Sequence, residues 1–244
     1  MNKISELNSG LGYYSLNAIN NDILKYIKNS IKNSLFDLLS KNNLIPNDSQ
    51  ESILDSYKNI SNDDWISLFN KENRTLKKKY AEPINAYFNK YLTDLLNCKV
   101  QIRDILKKGY PSFSFRIVRP LVASDIGPLH ADQWFIDIGA TKGEKSNNKK
   151  QIIKFWVPIN VDSESSNLII IPNSHKNKEQ YKYDIVKTKN GIKPLIRDEF
   201  DKKEIYMIKN KNGFPIIFHM NLIHGGAINK DKDCRLSLEF EFSI

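Results

Sequence analysis

Ser112-Phe113-Ser114-Phe115-Arg116-Ile117, closed by Pro120, sets polar side chains between apolar ones, and there the hydrophobic period of the chain falls from about 3.6 to 2. Further runs of strand character follow at 129–138, 152–159, 168–172, 214–219 and 235–243. Turn-forming stretches separate them: Ser124-Asp125-Ile126-Gly127-Pro128, Asn147-Asn148, Ser163 to Asn167, and Asn212-Gly213. Six strands with no helices between them predict an antiparallel barrel or sandwich.

Upstream, residues 18–97 read as helical. Ile23, Ile27, Ile31 and Leu35 fall four apart behind Asn20-Asn21-Asp22, which supplies N-cap chemistry. A second helix is expected over Gln50 to Tyr57, and a third behind the capping run Ser61-Asn62-Asp63-Asp64. A fourth is expected to start at Pro83, with Ile84, Tyr87, Tyr91, Leu92 and Leu95 on one side. Breakers such as Asn47-Asp48-Ser49 separate these helices. No flexible linker divides the halves, so residues 1–244 read as a single domain: a helical part, 18–97, packed on a β core, 110–243.

The composition excludes several classes. With 40% apolar and 27% charged residues the chain has a core to bury, which rules out wholesale disorder. No run of 18 apolar residues exists, so no membrane partner is expected. Cys98 and Cys234 lie too far apart for a disulfide framework, and Met1 to Glu6 lack the apolar stretch of a secretory signal, so a cytoplasmic protein is expected. The net charge of +9 comes from 31 Lys and only 6 Arg, beside 28 Asn. Phosphate-reading surfaces lean on Arg, so this charge reads as a solvated surface and nucleic acid is not expected as a partner. The lysine runs Lys77 to Lys79 and Lys142 to Lys150 read as helix faces and loops.

The four histidines are His130, His175, His219 and His224. His130-Ala131-Asp132 follows a Gly-Pro turn at the head of an expected strand, where residues two apart share a face and can hold one metal ion. His224 precedes Gly225-Gly226, and His219 competes with it as a third ligand. Two His and one Asp are the donor set of the non-haem Fe(II) facial triad, with three positions left open. Arg235 lies on the last expected strand with Ser237 on its face, suited to clamp a distal carboxylate, or alternatively to pair with Glu239.

His130-Ala131-Asp132-Gln133-Trp134-Phe135, then Leu168 through Pro172-Asn173-Ser174-His175, then His224-Gly225-Gly226-Ala227-Ile228-Asn229 through Arg235-Leu236-Ser237, in that order, resemble the phytanoyl-CoA dioxygenase-like family. The resemblance covers about residues 110 to 243. It implies a mainly β protein with flanking helices, built on a double-stranded β-helix (jelly-roll, cupin-like) core. It also implies Fe(II) bound by His130, Asp132 and His224, with 2-oxoglutarate as cosubstrate held by Arg235 and Ser237, and O2 as oxidant. The family's Pro-Gly-Ser-His stands here as Pro172-Asn173-Ser174-His175, a mild change because Asn tolerates the left-handed turn. His175 reads as structural.

The activity implied is oxidative decarboxylation of 2-oxoglutarate coupled to oxidation of a C–H bond in a small polar or carrier-linked metabolite, with hydroxylation the first expectation. A halogenase of this kind has a small residue where Asp132 stands. A cupin-like metal-binding protein without oxygenase activity would keep the barrel but need no Arg235, and a nucleic-acid-modifying oxygenase would show steep salt dependence. Trp134 and Trp156 suit either the pocket or the core. Arg116 and Arg119 suit either an anionic ligand or a salt bridge in the barrel wall. Lys176 to Lys211, rich in Lys and Tyr, is a candidate lid over the barrel mouth.

Overall fold

A computed structural model describes residues 3–44, 50–140, 150–161, 167–177, 179–188, 191–197, 200–201 and 203–244; the segments read as turns or basic runs at 47–49, 142–149 and 163–166 lie outside them. The chain opens with α1 (Lys3–Ser9), β1 (Tyr13–Ser15) and the long α2 (Asn21–Lys41). Asn20 caps α2 by accepting the Asp22 N–H at 2.6 Å, and the four-apart stripe Ile27, Ile31, Leu35 and Leu39 is buried.

A 3-10 helix (Gln50–Asn59) and α3 (Asn62–Leu68) come next. The Ser61 hydroxyl accepts the Asp64 N–H at 3.1 Å, closing the first turn of α3. Ser61→Ala should therefore cost about 1 kcal/mol of stability, read as a lower midpoint in thermal unfolding. An unchanged midpoint would mean that the cap contributes nothing here. The fourth helix, α4 (Lys78–Leu96), does not start at Pro83 but contains it. Pro83 has no N–H for the Lys79 carbonyl four residues back, and the Tyr26 hydroxyl donates to that carbonyl instead at 3.5 Å.

The β part runs β2 (Gln101–Ile102), β3 (Ser114–Val118), α5 (Asp132–Asp137), β4 (Ile152–Asn160), β5 (Leu168–Ile170), β6 (Tyr183–Thr188), β7 (Gly191–Ile196), β8 (Tyr206–Met207), β9 (Ile216–His219), β10 (His224–Gly226) and β11 (Arg235–Ser243). The larger sheet has the order β1-β9-β4-β11-β2, with β3 also paired to β11; β10-β5-β8 form a smaller sheet and β6-β7 a separate pair. The described pairings are antiparallel. Trp156, Ile216 and Phe218 of the larger sheet pack against Leu168 and Ile170 of the smaller one. Two packed antiparallel sheets agree with the expected mainly β, cupin-like core.

The helices cover the outer face of the larger sheet. Ile153, Phe155, Val157, Leu236, Leu238, Phe240 and Phe242 share one core with Ile27, Ile31, Leu35 and Phe88. The strand period of two then turns Lys154 and Trp156 of β4, and Arg235, Ser237, Glu239 and Glu241 of β11, into the barrel. Five of these are buried and Glu239 is half-buried, so these strands carry charges on a face that most barrels fill with aliphatic side chains. Among the described residues no helix is long and apolar enough to cross a membrane.

The strand expected at 129–138 does not form. His130 makes one bridge to His224, after which the Gln133 N–H turns to the Met220 carbonyl at 3.0 Å and the Trp134 N–H to the Ala131 carbonyl at 3.1 Å. With its N–H groups drawn aside, the chain enters α5 at Asp132. The Lys176–Lys211 segment contains β6, β7 and β8, and its β6-β7 pair docks on α5, where Tyr183 stacks on Trp134 at 4.7 Å.

Candidate metal centre

His130 and His224 are direct cross-strand partners. Each backbone N–H donates to the other's carbonyl, at 3.0 and 2.9 Å, which sets both side chains on one face of the ladder with ring centroids 4.5 Å apart. Asp132 reaches the same point from the first residue of α5, not from a shared strand face. One donor atom from each of the three lies within 4.8 Å of the others. Asp132 Oδ1 is 3.9 Å from His130 Nε2, and Oδ2 is 3.6 Å from His224 Nε2.

Hydrogen bonding settles the tautomers. His130 Nδ1 donates to the Pro128 carbonyl at 2.8 Å and His224 Nδ1 to the Leu222 carbonyl at 2.9 Å; a carbonyl only accepts, so both Nδ1 atoms carry the proton. Burial, then the neighbouring His224, pushes the His130 imidazole down to about 4. Burial also lowers His224, against the opposing pull of Asp132. Both rings are neutral at pH 7, and each turns a bare Nε2 lone pair toward a carboxylate that is itself only an acceptor. Asp132 Oδ2 is buried and makes no hydrogen bond. Converging acceptors with no donor among them fit a cation at their centre.

The wall around this cluster is ionic. Lys154 Nζ is 3.5 Å from Asp132 Oδ2 and 3.7 Å from Glu239 Oε2. Burial alone would lower the Lys154 ammonium, but Asp132 and Glu239 outweigh it and raise it above its ordinary value. Burial likewise works to raise the Asp132 carboxyl, and Lys154 with the two imidazoles holds it below the usual range. Arg116 Nε donates to Glu239 Oε1 at 3.0 Å and lines the same cavity, so it is both wall salt bridge and pocket residue. Arg119 is structural: it pairs with Asp125 at 2.7 Å and lies over Trp65.

Arg235 and Ser237 are buried on the inner face of β11, and Arg235 does not pair with Glu239. Its Nη1 donates to the carbonyls of Asn167 and Ala227 at 3.1 and 3.2 Å. A Cβ built on Gly226 would lie 2.9 Å from Arg235 Nη2, so the second glycine after His224 leaves room for the guanidinium beside β10. His224 and Gly226 are two residues apart on one strand, about 7 Å.

His219 and His175 lie elsewhere. Their rings are 5.2 Å apart, His219 Nδ1 accepts the Asn221 N–H, and His175 Nε2 meets the Asn8 carbonyl at 3.0 Å, tying α1 to the barrel. Trp156 packs between the sheets and Trp134 against Ala131, Ile171 and Ile223, both core roles. Lys154 was missed, yet a lone charge inside Ile152-Ile153-Lys154-Phe155-Trp156 was a readable signal of an inward cation. Lys71 and Arg74, which also line the cavity, sit in a loop with no such signal.

The family model of phytanoyl-CoA dioxygenase (PhyH) matches residues 45–237. The chain belongs to the phytanoyl-CoA dioxygenase family. The match starts well inside the helical part, further toward the N-terminus than the motifs at 130–237 reach. Membership in the phytanoyl-CoA dioxygenase family makes it a non-haem oxygenase by descent. Solved structures show the same fold. The non-haem monooxygenase ThoJ, in its apo form, superposes with a TM-score of 0.59 at 11% identity over 98% of this chain and 75% of that one. AviO1 from Streptomyces viridochromogenes Tue57 gives 0.55 at 11% identity over 99% and 93%. EctD from S. alaskensis, crystallised with 2-oxoglutarate and 5-hydroxyectoine, gives 0.54 at 14% identity over 98% and 74%. No curated protein matches the sequence.

Proposed function

We propose that this protein is an Fe(II)- and 2-oxoglutarate-dependent dioxygenase that hydroxylates a small polar or carrier-linked metabolite. The observation that carries the reading is the convergence of His130 Nε2, His224 Nε2 and a buried Asp132 oxygen without a hydrogen bond. The chemistry an Fe(II) ion supplies in such a site is coupling of 2-oxoglutarate decarboxylation by dioxygen to oxidation of a C–H bond. His130, Asp132 and His224 would hold the metal, with the Nδ1 protons of the two imidazoles anchored on backbone carbonyls. Arg235 stands beside Gly226, about 7 Å along β10 from His224. That spacing suits a five-carbon dicarboxylate with one end at the metal and the other on the guanidinium, with Ser237 beside it; the fold relative EctD binds this cosubstrate. The β6-β7 pair reaches the cavity with Ile192 and Pro194 and shields it from water.

The helices and sheets share one core, which supports reading residues 1–244 as a single unit. Free Cys98 and Cys234 suit a reducing, cytoplasmic setting. The test is anaerobic titration with Fe(II), then 2-oxoglutarate, followed by succinate measurement on admitting O2. One equivalent of Fe(II), a new visible band on adding 2-oxoglutarate, and succinate formation are expected. Metal binding with neither band nor succinate would make this a cupin-like metal protein instead.

A further inference from the structure

The cavity at the metal cluster holds about 210 Å³ and runs from the exposed Lys193 on β7, past half-buried Lys71 and Arg74, to the buried Lys154. Its wall carries five cationic side chains, Lys71, Arg74, Arg116, Lys154 and Lys193, against three carboxylates, Asp132, Glu239 and Glu241. The carboxylates are already engaged. Asp132 and Glu239 meet Lys154, Glu239 also accepts from Arg116, and Glu241 pairs with Arg103. Among the described residues none is left within ion-pair distance of Lys71, Arg74 or Lys193.

These three cations come from two distant parts of the chain, Lys71 and Arg74 from one loop and Lys193 from a strand. Residues 74–76 zip onto the free edge of β3, with the Phe115 N–H donating to the Arg74 carbonyl at 2.8 Å and the Leu76 N–H to Phe113 at 2.9 Å, while Lys193 arrives on β7. The Arg74 Nε is spent on the Phe69 carbonyl at 2.9 Å, which fixes the guanidinium and leaves its terminal nitrogens without a hydrogen-bond acceptor among the described residues. Burial, then Arg116, pushes the Arg74 guanidinium down to about 9, and burial, then Arg74 and Arg116, lowers Lys193. Like charges gathered in a partly desolvated cavity repel one another until an anion joins them.

Resting on the oxygenase reading above, we propose that Lys71, Arg74 and Lys193 form an oxyanion subsite that holds a carboxylate or phosphate group of the substrate at the mouth of the metal cavity. The cosubstrate does not fill this role, because Arg235 is not part of this cavity wall and meets the carbonyls of Asn167 and Ala227 instead. A volume of about 210 Å³ is below the usual range for small-molecule pockets of about 300–1,000 Å³. The occupant is thus a small acid or the acidic end of a larger molecule, clamped so that a neighbouring carbon faces His130 and Asp132.

The test is calorimetric titration of inorganic phosphate and of acetate into metal-free protein and into anaerobic protein loaded with Fe(II) and 2-oxoglutarate. Saturable binding of at least one anion is expected in both forms, and the tighter of the two tells phosphate from carboxylate. Arg74→Gln and Lys193→Gln should each weaken it about tenfold or more, Arg74→Lys should restore most of it, and the exposed Lys90→Gln should leave it unchanged. The midpoint for the 2-oxoglutarate-induced band should stay within about threefold of wild type in Arg74→Gln. Absence of saturable anion binding where that band is present overturns the subsite and leaves the oxygenase reading standing. Anion binding without the band overturns the oxygenase reading, and with it the claim that the anion belongs to that enzyme's substrate. Equal weakening of phosphate and 2-oxoglutarate by Arg74→Gln would give these cations to the cosubstrate and overturn the proposal.

Discussion

His224→Ala protein should fold, yet hold no Fe(II) and form no succinate, whereas His219→Ala should keep both. The sequence leaves these histidines as competitors; the geometry separates them. His224 is 4% exposed, its Nδ1 is fixed on the Leu222 carbonyl, and its Nε2 points at Asp132 3.6 Å away. His219, at the end of β9, uses Nδ1 to accept the Asn221 N–H and faces His175. Losing one of three protein ligands leaves two, and an ion held by two donors among bound waters is in competition with bulk solvent. The expected loss is complete within the sensitivity of a succinate assay, and Asp132→Ala should match it. Because His224 also packs on Phe218 at 4.6 Å, near-ultraviolet circular dichroism must show that the core of the variant is intact. Retained metal in His224→Ala, with loss in His219→Ala, would move the centre to the other histidine.

How much of this was readable in the sequence depends on what holds each residue in place. Arg235 and Ser237 were placed on one face because β11 is nine residues long and pairs with β3 in unbroken register over Arg235 to Glu239, which keeps its period of two there although the register with β4 shifts between Leu236 and Ser237. His130 and Asp132 were brought together for the wrong reason. The expected strand needed a pairing partner beyond His130, but β10 is three residues long and its Gly225 and Gly226 face β5. With the ladder ending there, the N–H groups of residues 133 and 134 turned to carbonyls and a helix began. The outcome for the carboxylate was the same, since the first residue of a helix also projects toward what precedes it.

The β6-β7 pair went unread because Tyr183-Asp184-Ile185-Val186-Lys187 is largely exposed on both faces, and so has no consistent apolar side. Arg74 and Lys71 were beyond reach for another reason. Their position depends on the 74–76 segment adding to the edge of β3, a contact between parts of the chain about forty residues apart that no local pattern encodes.

Arg235→Ala should weaken 2-oxoglutarate binding by about 10- to 150-fold while leaving Fe(II) binding nearly unchanged. The range follows from about 1.5–3 kcal/mol for a charge-assisted contact and the tenfold change per 1.4 kcal/mol. Burial, then Arg116, lowers the Arg235 guanidinium only to about 10, so it is charged at pH 7, and its Nη1 donates to the carbonyls of Asn167 and Ala227. Those carbonyls orient the planar fork, whose charge and paired donors suit a dicarboxylate. Arg235→Lys should fall between wild type and alanine, because an ammonium keeps the charge but loses the planar pair of donors. The measurement is the midpoint of the 2-oxoglutarate-induced band, with Fe(II) affinity taken separately from the same protein. Arg116 is the natural control: Glu239 already engages it at 3.0 Å, so Arg116→Gln should shift that midpoint far less than Arg235→Ala does. A larger shift in Arg116→Gln would transfer the clamp from β11 to β3, and with it the direction in which the cosubstrate lies.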